Sequence, residues 1–161
     1  MQYKEELHGG VEFYYTANRY ISDRLEIRPF QAYSLTWPNR ERFDIKHYLK
    51  LEQRFEFNTS DWVSTFGLRL RYTASVTLKL QGDLWQYGKG FYIPLNGEFF
   101  WNIKETIQFN NVIRFTAGIG YKINPIWNTA FSIGYDYTRS GIGEAFNTDN
   151  IIFRFRVHYK V

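Results

Sequence analysis

Residues Phe43–Phe57, FDIKHYLKLEQRFEF, and Ser64–Leu80, STFGLRLRYTASVTLKL, decide the fold. Successive side chains of an extended strand point to opposite faces, so residues of one parity share a surface. In the first run Phe43, Ile45, His47, Leu49, Leu51, Gln53, Phe55 and Phe57 fall on one face, and Asp44, Lys46, Tyr48, Lys50, Glu52, Arg54 and Glu56 on the other. In the second, Phe66, Leu68, Leu70, Tyr72, Ala74, Val76, Leu78 and Leu80 oppose Arg69, Arg71, Thr73, Ser75, Thr77 and Lys79. A helical repeat would scatter both sets around a cylinder, so the period is two. Both runs also exceed the ~5–6 residues of an ordinary strand.

The same alternation extends outward through the chain. Strand-like runs are expected at Leu7–Arg19, Leu25–Trp37, Phe91–Ile103, Val112–Ile123, Trp127–Thr138 and Ile151–Val161. Turn signals separate them at Ile21-Ser22-Asp23, Pro38–Glu41, Asn58–Asp61, Gln81–Gly90, Lys104–Phe109, Asn124-Pro125 and Arg139–Asp149. No helical pattern and no linker interrupts them, so residues 1–161 form a single domain. Eight strands in an antiparallel meander can close on themselves and leave no unpaired edge. The expected fold is therefore all-β: an eight-stranded, antiparallel, up-and-down barrel.

Composition narrows the class. The net charge of +4 comes from basic residues spaced singly along strands, unlike the clustered face that nucleic acid requires, so no nucleic-acid partner is expected. Cysteine is absent, which removes disulfides and thiol chemistry. No run of ~20 apolar residues could form a transmembrane helix. The mean hydropathy of −0.44 is soluble-looking, yet it suits a membrane barrel equally, because only alternate residues meet lipid. The opening MQYKEELHGG lacks the apolar core of a signal peptide, so export would need a targeting segment that has been removed or replaced by a start Met.

The placement of aromatics chooses between lipid outside and ligand inside. On the apolar face, Trp37, Phe43, Phe91, Tyr121, Trp127 and Tyr159 fall at one rim; Phe55, Phe57, Phe66, Trp101, Tyr135 and Tyr137 fall toward the other. Leu49, Leu51, Leu70, Leu95, Ile119, Ile133 and Val157 lie between them. Two aromatic girdles around an aliphatic band match the two interfaces of a bilayer and its hydrocarbon. The polar parity then fills a narrow interior: Glu12, Glu26, Arg28, Lys46, Lys50, Glu52, Arg54, Arg69, Arg71, Glu98, Arg114, Asp136, Arg154 and Arg156. Eight strands leave only enough room for side chains, so these charges must pair, and no open pore is expected. Gly118, Gly120 and Gly134 are expected to make room for the long arginines.

Signs of catalysis are thin. His8 and His158 face inward near one rim, and would approach each other if the first and last strands paired; His47 takes the apolar parity. No G-x-S-x-G elbow or H-E-x-x-H occurs, and Ser140 is the one nucleophile candidate near Asp136. No catalytic residue, cofactor or metal is expected. Gln31, Tyr33, His47 and Gln53 do stand out, because polar groups facing hydrocarbon are costly. They suggest a wall that meets another protein.

Arg28-Pro29-Phe30-Gln31-Ala32-Tyr33, Trp37-Pro38 and His47-Tyr48-Leu49-Lys50-Leu51-Glu52-Gln53-Arg54-Phe55 resemble the R-x-F-Q-x-Y, W-P and H-x-L-R-L-E-Q-R-F run of the domain of unknown function 2490 family. Leu68-Arg69-Leu70-Arg71-Tyr72, Leu95-Asn96-Gly97-Glu98-Phe99-Phe100 and the Gly-Tyr pairs at Gly120-Tyr121 and Gly134-Tyr135 are similar to its later strands. The resemblance implies a barrel of a Gram-negative outer membrane, in contact with lipid or lipopolysaccharide, and no established activity. The expected role is structural: a scaffold, or a subunit of an envelope complex. The alternatives are a soluble barrel carrying a hydrophobic ligand and an outer-membrane lipid-modifying hydrolase.

Overall fold

A computed structural model of the chain describes residues 3–17, 19, 22–37, 42–80, 88–104, 111–139 and 147–160. Eight strands carry the alternating runs: β1 (Lys4–Thr16), β2 (Arg24–Thr36), β3 (Phe43–Asn58), β4 (Ser64–Lys79), β5 (Gly90–Lys104), β6 (Asn111–Lys122), β7 (Trp127–Arg139) and β8 (Asn147–Tyr159). They form one sheet in sequence order, every neighbour antiparallel. The central pair is the most regular, with an unbroken ladder from Phe43↔Leu78 to Phe57↔Ser64. Strict alternation on both strands fixes that register, since a slip of one residue would turn every side chain to the wrong face.

The sheet starts at β1 and ends at β8 without joining them. The architecture is thus a half-barrel with two free edges, where full closure was expected. Strand ends differ from the sequence expectation as well. The first strand covers Lys4–Thr16 instead of Leu7–Arg19, and the last begins at Asn147 instead of Ile151. The extra turn of ladder, Asp136↔Asn150 followed after a bulge by Tyr137↔Thr148 and Thr138↔Asn147, runs through polar residues that carry no hydrophobic period.

Two turns are built by side chains. Asn58 Oδ1 accepts from Ser60 N (3.0 Å) and Asp61 Oδ1 from Val63 N (3.1 Å), while Trp62 takes φ 57° and donates its N–H to Asn58 O at 2.8 Å. Asn124 Oδ1 accepts from both Ile126 N (2.9 Å) and Trp127 N (2.7 Å), turning the chain tightly between β6 and β7. The Pro38–Glu41 turn lies outside the described residues, as do Ile21, residues 81–87, residues 105–110 and residues 140–146.

Burial is inverted. Among the described residues, Ala32 is the one buried hydrophobic side chain, whereas Glu26, Lys50, Glu52, Arg54, Lys79 and Asp136 are all buried. Leu49, Phe99, Ile119 and Phe155 are exposed. The total accessible surface is 11067 Å², against the roughly 8,500 Å² expected of a compact monomer of this mass. A single curved layer accounts for the excess, because nothing covers its apolar side.

Candidate functional site

The polar face holds clusters of paired charges, to which β1 through β7 contribute side chains of one parity. Glu12 on β1 accepts from Lys50 Nζ at 2.7 Å, although β2 lies between their strands. Lys50 also meets Glu52 Oε1 at 3.2 Å and sits 4.0 Å from the centre of the Phe30 ring. Glu52, 1% exposed, accepts from Arg69 Nε at 2.6 Å. Glu26 takes a two-pronged contact from Arg28, with Nε and Nη2 each at 2.6 Å, and a further hydrogen bond from Arg54. Contacts across an intervening strand are possible only where the sheet bends toward this face.

A second cluster repeats the arrangement on β4–β7. Arg71 donates to Glu98 at 2.5 Å, and Arg114 reaches Glu98 Oε2 at 3.4 Å. The same Arg114 grips Asp136 with both prongs, at 2.6 and 2.7 Å. Bidentate pairs of this kind are the strongest and most directional ion pairs. Between the clusters stands Phe100, with the guanidinium carbons of Arg69, Arg71 and Arg114 at 5.2, 5.0 and 5.7 Å from its ring centre. Phe100 and Phe30 were missed as members of this face, whereas Tyr14, expected on it, lies under the Arg28 guanidinium at 4.0 Å. Aromatics at the charged parity, between residues of opposite sign, are the signal that could have found them.

Of the expected interior charges, Glu12, Arg28, Lys50, Glu52, Arg54, Arg69, Arg71, Glu98, Arg114 and Asp136 are joined by ion pairs. Arg154 and Arg156, on the edge strand β8, join none among the described residues. The glycines serve a different purpose from the expected one. A Cβ at Gly120 would fall inside the ring of Tyr92, which crosses β6 to reach Asn128 Oδ1 and Thr129 O at 3.3 Å each. A Cβ at Gly118 would strike the backbone of Phe131 and Ser132. They admit a tyrosine and a close strand; no arginine occupies either space.

On the opposite face the rim aromatics touch in pairs, Phe91 with Tyr121 and Trp127 with Tyr159 at 4.7 Å between ring centres, Phe55 with Phe66 at 5.1 Å. Trp37, Phe43, Trp101, Tyr135 and Tyr137 are exposed, and Phe57 is half-buried. The band between the rims is not purely aliphatic: Tyr72, Phe99 and Phe131 lie within it. The polar exceptions on this face answer one another. Gln53 Nε2 donates to Gln31 Oε1 at 3.0 Å, and His47 Nδ1 lies 2.7 Å from the Tyr72 hydroxyl; Tyr33 lies near the Glu5 carboxylate.

One cluster has the residue types of a nucleophilic triad. Ser34 Oγ is 3.4 Å from His8 Nε2 and 3.5 Å from Glu6 Oε2. A triad needs the carboxylate to orient the imidazole and the hydroxyl to face a substrate. Here the carboxylate reaches the hydroxyl instead, and Ser34 is 0% exposed. No group of three or more metal-ligating side chains occurs among the described residues. No curated protein and no solved structure matches the chain. A family model does match it, over residues 4–147, described as a protein of unknown function. The chain belongs to that family, DUF2490.

Proposed function

We propose that the chain is a non-catalytic wall of a bacterial outer membrane: an up-and-down barrel whose apolar face meets lipid or lipopolysaccharide and whose ion-paired face is sealed inside. Its role is structural, as a scaffold or as a subunit of an envelope complex. The inverted burial carries this reading, with Glu52 at 1% exposure and Ile119, on a strand flanked on both sides, at 52%. Apolar surface left in water costs ~25 cal/mol per Å², and patches beyond a few hundred Å² mark interaction surfaces. A hydrocarbon surround removes that cost over the whole face at once.

The soluble-carrier alternative needs an apolar interior. The one large apolar hollow described, about 670 Å³ around Ala74, Leu95, Ala117 and Ile133, opens on the outer face. Paired charges filling the inner face likewise argue against a conducting pore. Partition of the folded chain between buffer and detergent, with heat-modifiable mobility on gels, tests the reading. Recovery in the detergent phase with a heat-dependent shift supports it. A folded monodisperse chain in plain buffer would overturn it.

A further inference from the structure

An inner row of paired residues can be followed across the entire sheet: Lys4, Thr36, Lys46, Ser75, Asn96, Thr116, Gly134, Ile152. Lys4 is the first residue of β1, whereas Ile152 lies near the middle of β8. The row therefore climbs along the strands, and closure must join Ile152 to a residue of β1 well above Lys4. The polar face of β8 ends in Arg154, Arg156 and His158, with Lys160 next beyond the strand, and that of β1 carries Lys4, Glu6, His8, Gly10 and Glu12, Lys4 lying 2.9 Å from Glu6. A cationic edge and an edge bearing two carboxylates are thus left without a flanking strand on one bent sheet.

We propose that β8 pairs antiparallel with β1 of the same chain, in the register that sets Arg154 opposite Glu12 and Lys160 opposite Glu6. The proposal rests on the closed-barrel reading above and specifies its seam. Parity admits only shifts of two, because an odd shift would set polar side chains against apolar ones. A barrel needs strands tilted ~35–45°. With ~3.3 Å per residue and ~4.8 Å between strands, pairing Ile152 with Gly10 gives ~27°, well below that range, and with Thr16 ~46°, at its upper edge and with Lys160 set against His8 instead of a carboxylate. Glu12 (~35°) and Tyr14 (~41°) remain.

Charge decides between these two. Pairing Ile152 with Glu12 sets His158 against Glu6, but also Lys160 against Lys4, Arg156 against His8, and an apolar side chain against a carboxylate. Pairing it with Tyr14 sets Arg154 against Glu12, Lys160 against Glu6, His158 against His8, and Arg156 over Gly10, where the Phe30 ring lies close and offers its face to the guanidinium. Glu12 has space for a second cation, its side chain being 31% exposed even with Lys50 bound. The outer residues then meet as Val11 with Phe155 and Leu7 with Tyr159, apolar throughout. Seven hairpins tether the two edges, so joining them loses no translational freedom, unlike joining two copies.

The absence of cysteine makes the seam directly testable. The double variants Val11→Cys with Phe155→Cys, and Val11→Cys with Phe153→Cys, would be folded in detergent and oxidised. A heat-dependent gel shift checks folding, and Leu7→Cys with Tyr159→Cys reports the same register should the first variant not fold. The expected result is an intramolecular disulfide at 11/155 in several-fold higher yield than at 11/153. A higher yield at 11/153, a disulfide-linked dimer from 11/155, or no cross-link in folded protein would each overturn the proposal. Detergent partition of the same samples separates the outcomes: a detergent-embedded chain lacking the cross-link refutes the seam alone, and a buffer-soluble one refutes the membrane reading.

Discussion

The centre of the sheet and its two edges follow the same rule of alternation and end in opposite states. On β3, Lys50, Glu52 and Arg54 are buried and bonded to neighbours on both sides. On β8, Arg156 occupies the same face and stays exposed, and β1 is exposed along most of its length. Parity selects the face, but only neighbours on both flanks bury it. The half-barrel thus has a buried, ion-paired middle and two edges still needing a partner strand.

The largest test of that contrast removes Glu52. Glu52→Ala leaves Lys50 and Arg69 buried without their carboxylate, and breaking a buried pair this way costs ~3–5 kcal/mol. Arg156→Ala strands no carboxylate, because Arg156 faces Gly10 in the proposed seam, and should cost ~1 kcal/mol or less. Urea unfolding in detergent micelles compares the two; equal losses would abolish the distinction between centre and edge. Next comes Gly120→Ala, which forces Tyr92 out of its place and should cost ~1–3 kcal/mol, as overpacking does. Adding Tyr92→Leu should restore part of the loss in the same assay.

Phe100→Leu keeps an apolar side chain but withdraws the ring face from three guanidiniums. A loss of ~1–2 kcal/mol is expected by unfolding, within the range of desolvated cation–π contacts. The smallest effect concerns the outer glutamines. Gln53→Leu alone strands the amide of Gln31, whereas Gln31→Leu with Gln53→Leu removes both partners and should fall within ~0.5 kcal/mol of the parent. If an envelope protein that co-purifies with the parent is lost from the double variant, the pair serves a partner and not merely its own hydrogen bond.

Much of this was legible in residue order. The strict parity of β3 and β4 fixed the strand type, the pairing partner and the charged face, and the run Lys50-Leu51-Glu52-Gln53-Arg54 identified the ionic centre. Contacts spanning two strands were not legible. Tyr92 lying over Gly120, and Lys50 reaching Glu12, depend on curvature that no single strand's pattern encodes. The pairing of Gln31 with Gln53 was hidden for a related reason. Each glutamine alone looks like a polar group stranded on an apolar wall, and only the β2–β3 register brings the two together. Strand ends in polar stretches such as Asn147–Asn150 were illegible because no apolar period marks them.

The central claim is that the apolar face meets hydrocarbon while the charged face is turned away from it. Spin labels attached one at a time at Leu49→Cys, Ile119→Cys, Ser75→Cys and Thr116→Cys in lipid bilayers test it most directly, through their collision rates with oxygen and with a water-soluble nickel chelate. Labels at 49 and 119 should be relaxed strongly by oxygen and hardly by the chelate, with 75 and 116 protected from oxygen dissolved in lipid. The reverse pattern, oxygen reaching 75 and 116 while the chelate reaches 49 and 119, would contradict the account.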